Sequence, residues 1–164
     1  MERLYHFERS QIIALPRPET FAFFSNPHHL EAITPSFVHF KFLREPPLEF
    51  QGGSVLMYRI RILGVPFRWQ SIIEAWEPPL RFVDLQVKGP YAYWRHIHDF
   101  EEIGERRTRA RDRIDFALPL GRLGIFAYRL FVNRMLSRIF DYREERLREM
   151  LGGSPEGTSD RQAG

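Results

Sequence analysis

The hydrophobic pattern of the chain changes period three times, and the changes divide it into four parts. The opening stretch "RLYHFERSQIIAL" reads as a strand that Pro16 ends. In "PRPETFAFFSNPHHLEAITP", which follows, Phe21 and Phe24 share a helical face and Pro18 suits a helix start. Asn26-Pro27 breaks that helix and Pro35 ends a second one, so the segment predicts two short helices.

From Phe37 the period becomes two. "FVHFKFL" reads as a short strand and "PPLEFQGG" as a turn-rich connection. Five strands follow, "SVLMYRIRIL", "PFRWQSIIEAWE", "LRFVDLQVK", "YWRHIHDFEE" and "RTRARDRIDFAL". They are separated by Gly64-Val65-Pro66, Pro78-Pro79, Gly89-Pro90 and Gly104-Glu105, whose shortness predicts an antiparallel meander. "GRLGIFAYRLFVNRMLSRIFDYREERLREML" then takes helical periodicity. Its apolar stripe runs through Tyr128, Val132, Met135, Ile139 and Tyr142 to Leu147 and Met150. The small polar residues after it predict a disordered tail over 152–164, leaving 1–151 as one domain.

Strand, two short helices, six strands and a long helix make an α+β protein. About seven antiparallel strands present one apolar face, and the terminal helix is the only long element able to cover it. A twisted sheet gripping one helix leaves a gap suited to a ligand.

Composition narrows the chemistry. With no cysteine, the chain has no disulfide, thiolate metal site or thiol nucleophile. A net charge of +3 is too mild to point to nucleic acid, and no RNA-binding motif accompanies the arginines between Arg106 and Arg113. The charged start "MERLYHFERS" lacks a leader's apolar core, and no run reaches the ~18 apolar residues of a membrane span. The expectation is a cytoplasmic protein.

Alternation also assigns faces. Four arginines from Arg107 to Arg113 belong in water, which turns Asp112 inward with Ala110 and Ile114. In the preceding strand Arg95 and Asp99 go to solvent, so Trp94, His96, His98 and Phe100 face in. For "RFVDLQV" the loop decides: a two-residue turn sets Asp84 outside opposite Arg95, and a three-residue Gly89-Pro90-Tyr91 loop sets it inside opposite His96. Proline lacks the N–H of a tight hairpin ladder, which favours the longer loop.

The element order resembles the helix-grip fold of the START/Bet v 1-like (SRPBCC) superfamily over residues 3–151. "PRPETFAFFSNPHHLEAITP", "IIEAWEPPLRFVDLQVKGPYAYWRHIHDFE" and "LPLGRLG" leading into "RIFDYR" look like its polyketide cyclase/dehydrase-like and coenzyme Q-binding-like branch. The resemblance implies a cavity for a small hydrophobic molecule such as a lipid, quinone or polyketide. In some members it implies cyclisation or dehydration.

The candidate ligand-binding residues are Tyr58, Trp69, Asp84, Gln86, Trp94, His96, His98, Phe100 and Asp112: polar pegs among aromatic walls. The alternative is an enzyme in which His96 or His98 acts as a general base steered by Asp84 or Asp112. His-x-His with Asp112 as third ligand also suits a metal, yet the favoured reading has neither metal nor cofactor. A third reading is a structural network that only fixes register. At the helix start, Phe126, Leu130 and Phe131 are candidates for homodimer contact, a lid, or transient contact with a membrane surface flanked by Arg122, Arg129 and Arg134. Gly121 and Gly124 would let that start move.

Overall fold

The computed structural model describes residues 3–119, 126 and 131–155. Its frame is one antiparallel sheet. The strands are β1 (Leu4–Ile13), β2 (Lys41–Phe42), β3 (Val55–Ile62), β4 (Val65–Glu77), β5 (Arg81–Lys88), β6 (Tyr93–Gly104), β7 (Arg107–Ala117) and β8 (Gly153–Pro155). Their spatial order is β2-β3-β4-β5-β6-β7-β1-β8, so the meander is intact and β1 closes against its far end. Helix α1 spans Arg17–Phe24 and helix α2 spans Asn133–Leu151.

Three expectations are corrected. The second short helix is replaced by two three-residue 3-10 turns, Pro27–His29 and Ser36–Val38. Prolines at both ends leave too few residues to nucleate an α-helix. The strand expected over Phe37–Leu43 shrinks to β2, because His39 adopts φ 48° and breaks the extended run. Gly153–Pro155, expected within a disordered tail, pairs with Ile13, Ile12 and Gln11 as an eighth strand. The rest of that tail, 156–164, lies outside the described residues, as do Gly121, Gly124, Leu130, Arg122 and Arg129.

Local chemistry explains the joints. Between β3 and β4 the chain turns on Leu63 and Gly64, both at positive φ (51° and 83°), the pattern of a two-residue hairpin matched to sheet twist. Between β5 and β6, Asp84 pairs with His96, the register of the three-residue loop. Gln86 closes that loop: its Nε2 donates to Tyr91 O (2.8 Å) and its Oε1 accepts from Tyr91 N (3.4 Å). The side chain lies so close over Gly89 that any Cβ there would meet it at 2.2 Å.

The helix packs one notch away from the expected stripe. Val132, Leu136, Phe140 and Leu147 are buried, whereas Tyr142 and Met150 are exposed. Spacing of four, four and seven leaves a position of the buried seam at 143, and an arginine occupies it. Tyr128, the first residue of the expected stripe, lies outside the described residues.

The outer face of β6 and β7 is a lattice of ion pairs. Arg95 meets Glu74 (2.6 Å), Arg109 meets Glu101 (2.6 Å) and Arg113 meets Asp99 (2.7 Å). These acids answer the arginine run. His6, likewise on this exposed side, bonds Asp115 (2.6 Å). Among the described residues no helix is long and apolar enough to cross a membrane.

Candidate functional site

Between the sheet's inner face and α2 lies a cavity of about 160 Å³. Its walls are mainly apolar, with Tyr58, Trp69, Tyr91 and Trp94 on the sheet side and Met135, Leu136, Ile139 and Phe140 on the helix side. The aromatic groups hold one another. Tyr58 stacks on Trp69 (5.8 Å), and Trp94 meets Trp69 edge-on (5.2 Å, 90°). Trp69 is 5% exposed and its indole Nε1–H has no partner among the described residues.

One polar cluster interrupts this wall, and sheet register builds it. Asp84 on β5 stands opposite His96 on β6, and His98 stands opposite Asp112 on β7. The two imidazoles are 3.8 Å apart between centroids. Asp112 only accepts, so the 2.8 Å bond to His96 requires a proton on His96 Nε2 and leaves Nδ1 as an acceptor. That Nδ1 faces Asp84 Oδ2 at 3.6 Å. His98 Nε2 donates to the same Asp84 oxygen (3.1 Å). His98 Nδ1 lies 3.0 Å from Asp112 Oδ1 but out of line for a hydrogen bond.

The two histidines part company electrostatically. Burial, aided by the neighbouring His98, pushes His96 below its ordinary pKa, and the bond to Asp112 only partly opposes it. Burial also works against charge on His98, but contacts with Asp112 and Asp84 overcome it and raise the pKa. For Asp112, burial is outweighed by the two histidines, which hold its carboxyl well below the usual range. Burial, reinforced by Asp84, drives the Tyr58 hydroxyl well above its usual pKa. Burial alone raises Tyr91. The site thus disfavours a proton on His96 and favours one on His98.

The fifth member is Arg143 of α2, whose Nη1 lies 3.7 Å from Asp112 Oδ1. Its side chain is 11% exposed, its Nε has no hydrogen-bond partner among the described residues, and its guanidinium lies 4.9 Å from the centre of the Phe140 ring. The carboxylates of Asp84 and Asp112 thus lie beside His98, where a proton is favoured, and beside the Arg143 guanidinium, so opposite charges offset part of the cost of burial.

Of the nine residues named from sequence, Tyr58, Trp69, Asp84, Trp94, His96 and His98 line the cavity. Asp112 sits behind the histidines. Gln86 turns to its own loop, and Phe100 packs away from the cavity among Phe21, Phe24 and Phe82. Arg143 and Tyr91 were missed. Arg143 had a signal: it is the one charged residue on the buried seam of its helix. His28 and His29 stay out of the cluster, His29 Nδ1 donating to Phe23 O (2.8 Å) and its ring stacking on that of Phe23.

No protein-family model and no curated protein matches the chain. Solved structures do. The Zhui aromatase/cyclase of Streptomyces sp. R1128 superposes with a TM-score of 0.67 at 16% identity, covering 90% of this chain and 96% of that one. Major latex-like protein 151 of Panax ginseng gives 0.64 at 14% identity, covering 89% and 96%. A norcoclaurine synthase of Thalictrum flavum, in complex with a transition-state analogue, gives 0.62 at 12% identity, covering 91% and 97%. What is shared at such identities is architecture: an antiparallel sheet gripping one long C-terminal helix, the helix-grip fold of the Bet v 1-like proteins.

Proposed function

We propose that the protein binds a small hydrophobic molecule bearing an oxygen function, held between the sheet and α2. The observation that carries this reading is an apolar cavity whose wall is broken by a buried histidine–aspartate cluster and by an indole N–H without a partner among the described residues. Apolar walls bind the body of the ligand, and the few polar groups orient its oxygens. A volume of about 160 Å³ matches a ligand of roughly one aromatic ring, since apolar cavities of about 150 Å³ accept benzene. A quinone head or a compact aromatic polyketide fragment fits that size better than an extended lipid. The solved neighbours, an aromatase/cyclase and a synthase among them, use the same architecture and support this class of ligand.

Native mass spectrometry of the purified chain, followed by organic extraction, tests the reading. The expected result is a stoichiometric aromatic or quinone-like molecule, or saturable quenching of Trp69 and Trp94 fluorescence by added 1,4-naphthoquinone. A chain that carries nothing and shows no saturable quenching overturns it.

A second reading rests on His96. Oriented by Asp112 through Nε2, it keeps Nδ1 unprotonated, the arrangement of a general base in a cyclase or dehydratase. Turnover of an aromatic polyketone that His96→Gln abolishes, with binding retained, would favour it.

A further inference from the structure

We propose that Asp84, His96 and His98 form a binding site for one divalent first-row transition ion, with the Asp112 carboxylate behind both imidazoles. The inference stands on geometry and is independent of which organic molecule the cavity takes.

A metal-binding histidine uses one ring nitrogen for the ion and donates the other N–H to an acceptor, which fixes its tautomer and orientation. His96 meets that description at Asp112 Oδ1, and His98 sets its Nδ1 close to the same oxygen without yet being in line for the bond. Asp112 Oδ1 lies 2.8 Å from His96 Nε2 and 3.0 Å from His98 Nδ1. Their opposite nitrogens, His96 Nδ1 and His98 Nε2, turn to Asp84 Oδ2 at 3.6 and 3.1 Å. The three candidate ligand atoms lie within 4.8 Å of one another. Ligands about 2.0–2.1 Å from a tetrahedral ion sit about 3.3 Å apart, so two of the three spacings already bracket the required value.

The protonated arrangement also leaves an unanswered contact. His96 Nδ1 and Asp84 Oδ2 are both acceptors, and they face each other. A cation between them turns that opposition into two bonds. Ion binding would release the His98 Nε2 proton to solvent and leave the Nδ1 N–H on the side of Asp112, so the same side chains serve both states.

Donor type narrows the ion. Two imidazole nitrogens and one carboxylate suit Zn²⁺, Fe²⁺ or Co²⁺, whereas Ca²⁺ and Mg²⁺ take oxygen ligands. Three protein ligands leave coordination positions on the cavity side. Beside them stands the Arg143 guanidinium. A 2+ ion and Arg143 against Asp84 and Asp112 leave one positive charge, which selects an anionic oxygen, a carboxylate or enolate, as the further ligand.

The test uses the full chain without an affinity tag, stripped with chelator and dialysed. Zn²⁺ is titrated calorimetrically at fixed neutral pH, and Co²⁺ is followed by visible absorption. The expected result is one ion per chain and a cobalt band in the visible region. His98→Ala and Asp84→Asn should each weaken binding at least 100-fold, and Asp112→Asn by about 10–100-fold. A His28→Ala/His29→Ala double variant should bind as the parent does. Should His98→Ala fail to fold, Asp84→Asn keeps the shape of a partly exposed side chain, and it decides together with the parent's cobalt spectrum. Parent binding no tighter than that of Asp84→Asn, or binding abolished in the double variant, overturns the proposal.

Discussion

The inner face of the sheet is covered by two aromatic clusters of different chemistry. One gathers Phe21, Phe24, Phe50, Phe82 and Phe100 with aliphatic residues, under α1 and the end of α2. The other gathers Tyr5, Trp69, Tyr91 and Trp94 with Phe7, Phe116 and Phe140, under the first half of α2. Among the described residues the buried aromatics of the first are all phenylalanine. Those rings meet at about 5–6 Å, with no hydrogen-bonding atom to satisfy. Rings of the second cluster carry hydroxyls and indoles, at least one of which stays unpaired inside. β6 belongs to both, contributing Phe100 to the first and Trp94 to the second, with His96 and His98 between. A phenylalanine cluster can close fully on itself. A tyrosine–tryptophan cluster beside a cavity keeps polar atoms available, and the polar spot sits at the seam between the two.

That contrast can be broken most severely from the closed side. Phe100→Ala is expected to destabilise the fold by about 3–5 kcal/mol, because a 4%-exposed ring with three ring neighbours leaves a cavity that cannot collapse. Urea unfolding measures it. Asp112→Ala, at the seam, should cost about 3 kcal/mol by leaving His96, His98 and Arg143 facing each other without their acceptor. The same unfolding experiment reads that loss, and ligand affinity should fall with it.

Gln86→Ala should cost about 1 kcal/mol, the loss of two loop hydrogen bonds. Its affinity for a cavity ligand should match the parent's. A large loss of affinity would mean that Gln86 swings from its loop to the ligand. Trp69→Phe sharpens the contrast at least expense, with stability expected within about 1 kcal/mol of the parent, since the lost N–H is unpaired. Fluorescence titration with naphthoquinone should still show weaker binding, because the ligand's oxygen loses a donor.

Strand faces were legible in the sequence wherever charge made one side costly to bury. Arg107 to Arg113 fixed the face of Asp112, and Arg95 with Asp99 fixed that of His96 and His98. Asp84 needed more than alternation, and the proline of its hairpin supplied the parity. The placements that differed lie where another element decides. Gln86 lies on the strand face expected to point inward, yet the loop beside it offers the nearer hydrogen bonds. Phe100 shares a face with the histidines but lies two residues further along β6, under α1 instead of the cavity. The helix stripe was drawn through apolar residues only, so it passed over Arg143, whose burial depends on an aspartate 31 positions earlier in the chain. β8 gave no periodic signal, since three residues containing glycine and proline become a strand only because β1 offers an open edge.

That last pairing makes the two ends of the domain neighbours in the sheet. β8 runs back along β1 from Ile13 toward Gln11, so at Pro155 the chain is heading for its own beginning, seven positions short of Leu4. At about 3.4 Å per residue, a linker spanning about 24 Å would join the ends without disturbing a strand. The exposed Leu63–Gly64 hairpin is then a natural place to reopen the chain. The fold is in effect circular: the order in which its strands are synthesised can be rotated while β5, β6 and β7, with the histidines and aspartates they align, stay one uninterrupted unit.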